Sequence, residues 1–458
     1  MRASVVAAFV VVGCMGRDTD VGSEAARDFS SGSRLRARVY VMDGAEVLAS
    51  FYDRALDLDC AFAGEAGENV GPSGKGVVYT CLPTVLARHR EGSGPFADLG
   101  CTKKAGFVVE GETPSYGAVT PTDACVSGPL VHRVGVVEQG RPYWMIGPDG
   151  VCTRQMGTAF AQLGERVAEG TFVSAEESVE GRGGRIAARV LRSADGARQV
   201  IGGWDTVRNE AVAPVVTEDG ARRWGPERVG FVGGQGGEYI DASCTRPAAT
   251  KIRRDAVCPL TAGYEFVGTC RARFHGLGAA RETAIYRRDE AGQCAKTSPL
   301  SPSFVHEVGD PIPSGAFEPV VFRESGFGRV RRRGLGAASG DLVTLDTIVD
   351  AHVPCEPAEV AGKLRCAPPL RAKIVVFADE GCTEPALADV FPCDTDELPK
   401  RVRSADDVHV YEVARELQVA YEQSPTSCTR KVFESPWRAF ALREIDPNAL
   451  PPATTRVE

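Results

Sequence analysis

A short string built around one cysteine occurs three times in this chain, and it constrains the fold more than any other feature. FADLGCTKKAG runs from Phe96 to Gly106, YIDASCTRPAA from Tyr239 to Ala249 and FADEGCTEPAL from Phe377 to Leu387. Each begins with an aromatic residue, places an Asp three residues before the Cys and puts a Thr directly after it. Cys101, Cys244 and Cys382 lie 143 and 138 residues apart. The chain therefore reads as three tandem units with a period of about 140 residues.

Other strings keep that period. SRLRARVYVMDGAEVLASFYD (Ser33 to Asp53) and GRIAARVLRSADGARQVIGGWD (Gly184 to Asp205) alternate apolar with polar residues around an Asp-Gly pair, which predicts a β-hairpin at the head of each unit. GRVRRRGLGAASGDLVTLD (Gly328 to Asp346) opens the third unit, with Ser339-Gly340 at the turn. GERVAEGTF (Gly164 to Phe172) aligns with GDPIPSGAF (Gly309 to Phe317), and REIDPNAL (Arg443 to Leu450) keeps the same apolar spacing. The units are residues 33–183, 184–327 and 328–458. Helical periodicity is weak everywhere, with Val408 to Ala420 the best short candidate, so the expected class is all-β. Units with about six to eight strands each admit a β-propeller-like closed ring or tandem small β-domains. The ring is favoured, because the joins at Glu180 to Gly184 and Glu324 to Gly328 are only a few residues long.

The chain carries 15 cysteines and no Cys-x-x-Cys pair, which points to disulfides in an oxidising compartment rather than to zinc or redox catalysis. In the middle unit the positions matching Cys60 and Cys81 hold Ala211 or Val212 and Trp224. Joint loss implies partnership, so Cys60 is expected to bond Cys81, and Cys355 to bond Cys366. Sequence order then pairs Cys101 with Cys125, Cys244 with Cys258, Cys382 with Cys393 and Cys270 with Cys294. Cys152 and Cys428 are left at equivalent places, either meeting near a shared axis or free.

Residues Met1 to Gly13 have one positive charge, at Arg2, followed by small and apolar residues, the pattern of a secretory signal at 1–13. Val11-Val12-Gly13-Cys14 resembles the lipobox of bacterial lipoproteins. An ordinary signal peptide or a buried strand is the competing reading. The resemblance implies lipidation of Cys14, export across the inner membrane, and anchoring at the outer membrane or cell surface, where Met15 replaces the Asp associated with inner-membrane retention. It also leaves fourteen cysteines, an even number. Residues 14–32 are polar and small, as in a tether. The repeat region itself resembles no family.

A net charge of -8 gives no basic face for nucleic acid. No Gly-x-Ser-x-Gly, phosphate loop or His-Glu-x-x-His occurs, and six histidines are scattered, so no catalytic, metal or cofactor site is assigned. Two aspartate columns recur: Asp98, Asp241 and Asp379 before the central Cys, and Asp53, Asp205 and Asp346 at the hairpin ends. Turn capping is the first expectation for the former. Tyr52, Trp204 and Leu345 form an apolar column read as core. Asp394 to Glu397 lacks the Gly and distal Glu of a calcium loop. The expected role is a binding or structural module at the cell surface with a glycan, peptide or protein ligand. The alternative is a secreted propeller-type hydrolase or lyase that gathers carboxylates near a ring axis.

Overall fold

The computed structural model describes residues 28–458 except 64–77, 121–128, 148, 182, 234–236, 251–259, 268–270, 283, 290, 297–303, 327, 339–341, 373–375, 391–399, 425–426 and 433–436. Cys14, Cys125, Cys258, Cys270, Cys393 and the Asp394 to Glu397 run lie outside the described residues. Among those described there is no α-helix; the chain is all-β, with short 3-10 turns at Ser314–Ala316 and Pro447–Ala449. Val408 to Ala420, the best short candidate for helical periodicity, falls on two strands, Val410–Leu417 and Val419–Gln423. A register shift between Val413 and Arg415 interrupts the alternation there and mimics helical spacing.

Three four-stranded antiparallel meanders form the centre. The first is Leu35–Met42, Ala45–Asp53, Leu58–Ala63 and Val78–Pro83. The second is Ile186–Ser193, Arg198–Asp205, Glu210–Val216 and Arg222–Pro226. The third is Val330–Ala337, Leu342–Asp350, Val353–Val360 and Lys363–Ala367. In each, one further strand flanks the opening strand: Thr454–Val457, Ser174–Glu180 and Val320–Ser325 respectively. Ser174–Glu180 also pairs with Val78–Pro83, so the first two meanders belong to one eleven-stranded sheet.

The meanders lock tip to base. The hairpin-tip carboxylate of Asp195 accepts the N–H groups of Arg34 (2.9 Å) and Leu35 (2.7 Å), and that of Asp43 accepts the N–H of Arg329 (2.8 Å). Apolar clusters cross the same seams: Met42 and Ala45 pack with Val330, Ile348, Cys355 and Cys366, and Ile186, Val212 and Trp224 with Leu335, Ala337 and Val343. The end of the expected tether is built into this centre. Phe29 is 2% exposed within the first core, Phe29–Ser30 pairs with Gln199 and Arg198, and Asp28 meets Arg332 at 3.4 Å.

After each meander the chain forms a second β body. Ala87–Arg90, Ala105–Phe107, Tyr116–Thr120, Leu130–Glu138 and Phe160–Arg166 close a small barrel. Val229–Val232, Ala248–Thr250, Ala262–Val267, Arg271–Glu282 and Phe304–Ile312 close another. Following the third meander, the described strands make an eight-stranded sheet. Small residues fill the first barrel, where Ala87, Val119 and Ala161 are wholly buried. A side chain at Gly106 would collide with Ala87 within 2.9 Å, which fixes how closely these strands pass.

Candidate functional site

The recurring cysteine strings fold into three closely matching turns. Asp98 accepts the N–H groups of Thr102 (2.9 Å) and Lys103 (2.6 Å) and the Thr102 hydroxyl (2.6 Å). Asp241 does the same with Thr245 (3.1 Å), Arg246 (2.7 Å) and the Thr245 hydroxyl (2.8 Å), and Asp379 with Thr383 (2.8 Å), Glu384 (2.7 Å) and the Thr383 hydroxyl (2.7 Å). In each turn the Cys N–H donates to the Asp carbonyl at 3.1 Å. Cys101, Cys244 and Cys382 all hold a positive φ, 49°, 52° and 51°, a conformation unfavourable for a side chain with a Cβ. The Asp cap and the disulfide compensate that cost.

Charge follows from this geometry. The Thr102 hydroxyl and the Lys103 N–H hold the Asp98 carboxyl below the usual range, and the Ser243 hydroxyl leads the same effect at Asp241. The Glu384 N–H and the Thr383 hydroxyl push Asp379 down to about 2. A carboxyl that serves as a general acid at neutral pH needs a raised pKa. These carboxylates are lowered and engaged by their own turns, so they act as caps.

Five disulfides are present among the described residues. Cys60 is bonded to Cys81 and Cys355 to Cys366, with Cα separations of 5.3 and 5.2 Å. The pairings read from sequence order at the turns are corrected. Cys101 bonds Cys152 rather than Cys125, Cys244 bonds Cys294 rather than Cys258, and Cys382 bonds Cys428 rather than Cys393. Cys294 is therefore not the partner of Cys270, and Cys152 and Cys428 are neither free nor joined to each other. The cause is a hairpin that folds back over each turn. Phe96 bridges to Trp144, Tyr239 pairs with Tyr286 and Phe377 with Tyr421, which carries the last cysteine of each unit onto the turn.

The second aspartate column is a set of buried ion pairs. Asp53 and Asp205 are fully buried and bind Arg34 (2.7 Å) and Arg185 (2.8 Å). In the third meander the equivalent residue is Asp350, 1% exposed and bound to Arg329 at 2.7 Å, not Asp346. The same shift applies to the apolar column. Tyr52, Trp204 and Val349 lie opposite Arg36, Ala187 and Arg331, so Val349, not Leu345, is the third member. Only Val349 is fully buried; Tyr52 and Trp204 are half-buried. Each arginine also donates to a main-chain carbonyl, of Thr171, Ala316 and Ala449 in turn. Sequence reasoning missed these arginines, although each directly precedes the first apolar residue of its opening strand: Leu35, Ile186 or Val330.

In the middle meander Trp224 takes the place of a cystine half. Val212 lies opposite Pro226 as Cys60 lies opposite Pro83, and Val212 and Trp224 share one core cluster. The Trp224 ring is 1% exposed, and its Nε1 donates to the Gly336 carbonyl at 3.1 Å. Gly203 stands where Phe51 and Ile348 stand in the flanking meanders, and a Cβ there would approach the Trp224 ring to 2.9 Å.

The histidines stay dispersed. His89 is buried, its Nδ1 near the carbonyls of Pro95 (3.0 Å) and Ala105 (2.7 Å), and burial lowers its pKa. His275 meets Glu265 at 3.0 Å, while His132 and His306 each meet a glycine carbonyl at 2.9 Å. Among the described residues, no group of three His, Cys, Asp or Glu side chains is placed to hold a metal ion, and no helix is long and apolar enough to cross a membrane. The disulfide-rich all-β build fits a stabilised module of an oxidising, extracytoplasmic space. No family model, no curated protein and no solved structure matches this chain.

Proposed function

We propose that this protein is an extracytoplasmic binding or structural module, lipid-anchored through Cys14 and made of three copies of one unit. The observation that carries the reading is the recurrent turn. The carboxylates that a catalyst would use are turn caps, and a disulfide staples each turn, so what recurs through the chain is framework. The ligand is a glycan, a peptide or another protein met at the surface, and fold alone does not select among them.

Two experiments test this. Cys14→Ser should move the protein from the membrane to the soluble fraction; unchanged fractionation removes the anchor from the proposal. The purified 28–458 region, passed over glycan and peptide arrays, should bind one class saturably without altering it. Turnover of an arrayed glycan or peptide that Asp98→Ala, Asp241→Ala or Asp379→Ala abolishes in a folded protein would replace the binding module with an enzyme.

A further inference from the structure

The three flanking strands are not held alike. Ser174–Glu180 is seven residues long and Val320–Ser325 six, and each runs almost directly into the meander it flanks. Thr454–Val457 has four residues, all exposed, and reaches its meander from the far end of the sequence. It contributes no buried side chain. What holds it is main-chain pairing in the register Val41↔Thr454 to Arg38↔Val457, an ion pair from Arg456 to Glu46 at 2.7 Å, and a hydrogen bond from the Arg36 Nε to the main-chain oxygen of Glu458. The residue directly before it, Ala453, is firmly anchored: it is 8% exposed in a core cluster with Met42 and Val330, and its N–H donates to the Leu364 carbonyl at 3.0 Å. Upstream, the Pro451 carbonyl accepts the Cys366 N–H at 2.9 Å, so the chain is fixed up to the start of the strand.

We propose that the outer edge of Leu35–Met42 is a binding site for an extended peptide, and that Thr454–Val457 is its exchangeable occupant. Recognition is by strand addition, in which main-chain groups supply the affinity and a few side chains the preference. Glu46 selects a cation in the position of Arg456, and Arg36 grips an acceptor oxygen two residues further on. The Glu458 N–H donates to Ala37, and successive strand groups alternate in direction, so the Arg456 N–H faces the same edge. When the occupant leaves, the outward N–H and C=O groups of Val39 and Val41 form an open edge that takes another strand of like chemistry.

The test uses a chain ending at Ala453 and a fluorescent peptide of residues 454–458. The expected result is saturable one-to-one binding, with a melting temperature that rises with peptide concentration. The peptide N-methylated at Arg456, which loses the edge-facing N–H, should bind about tenfold more weakly. A second arm keeps the full chain and substitutes Arg456→Pro; this protein should bind the labelled peptide more tightly than the unaltered chain, whose own strand competes. Failure of the peptide to bind either folded variant overturns the proposal. So does unfolding of the full-length Arg456→Pro chain, because the strand would then be an integral part of the core structure rather than an exchangeable occupant.

Discussion

The first and middle meanders solve one packing problem in two ways. Around Phe51 the first spans the space between its third and fourth strands with the Cys60–Cys81 bridge. Around Gly203 the middle one fills it with the indole of Trp224, hydrogen-bonded to Gly336 in the neighbouring meander. The bridge ties a strand pair to itself, acting largely by restricting the unfolded chain. The indole ties its strand pair to a neighbour, acting through burial and dispersion. One staple makes a meander self-sufficient; the other makes it depend on its partner.

The largest expected effect comes from removing the indole. Trp224→Ala should cost about 3–5 kcal/mol in guanidinium unfolding, because a large wholly buried side chain leaves a cavity. A loss under about 1 kcal/mol would mean that the ring is not a structural substitute for the bridge. Next is the joint substitution Cys60→Ser with Cys81→Ser, expected to cost about 2–4 kcal/mol, with a reductant no longer acting on that meander. Equal sensitivity of the Trp224 region to reductant, read by hydrogen exchange, would break the contrast. Gly203→Ala should cost about 1–3 kcal/mol by driving a methyl into the Trp224 ring, and much less in a Trp224→Leu background, where the clash is relieved. Additive costs would place the strain elsewhere.

The smallest effect concerns the turns, where the units should not differ. The Asp379 carboxyl titrates at about 2 in the folded chain against an ordinary 3.8, so its contribution is complete above about pH 4 and is lost as the pH falls towards 2. Asp98 and Asp241 share the direction. Asp379→Asn should flatten the fall of the melting temperature between pH 4 and pH 2. An unchanged slope would show that acid unfolding is governed by other carboxylates.

Strand alternation, Asp-Gly turns and the joint loss of two cysteines made the all-β class and the Cys60–Cys81 and Cys355–Cys366 bridges legible from the residues alone. Register was not legible. The hairpin from Arg34 to Asp53 spans 19 positions, that from Arg185 to Asp205 spans 20, and that from Arg329 to Asp350 spans 21. The first two carry one register shift each and the third carries two. Bulges add residues without adding strand length, which is why counting along the string stopped at Asp346. The partners of Cys101, Cys244 and Cys382 were hidden for a different reason. They arrive on a hairpin that closes about fifty residues later, a long-range contact whose only local sign is an aromatic residue at Tyr143, Trp144, Tyr286 and Tyr421.

Asp28 to Ser31 give the molecule a mechanical character. Asp28 faces Arg332 of the third meander, Phe29–Ser30 lies along Gln199 and Arg198 of the second, and the Ser31 hydroxyl accepts the N–H of Ala37 in the first. A pull on the chain at that point loads three meanders together instead of peeling one strand from a rim. In single-molecule stretching from this end, the whole meander assembly should yield in one step, and Phe29→Ala should lower the force at which it does so.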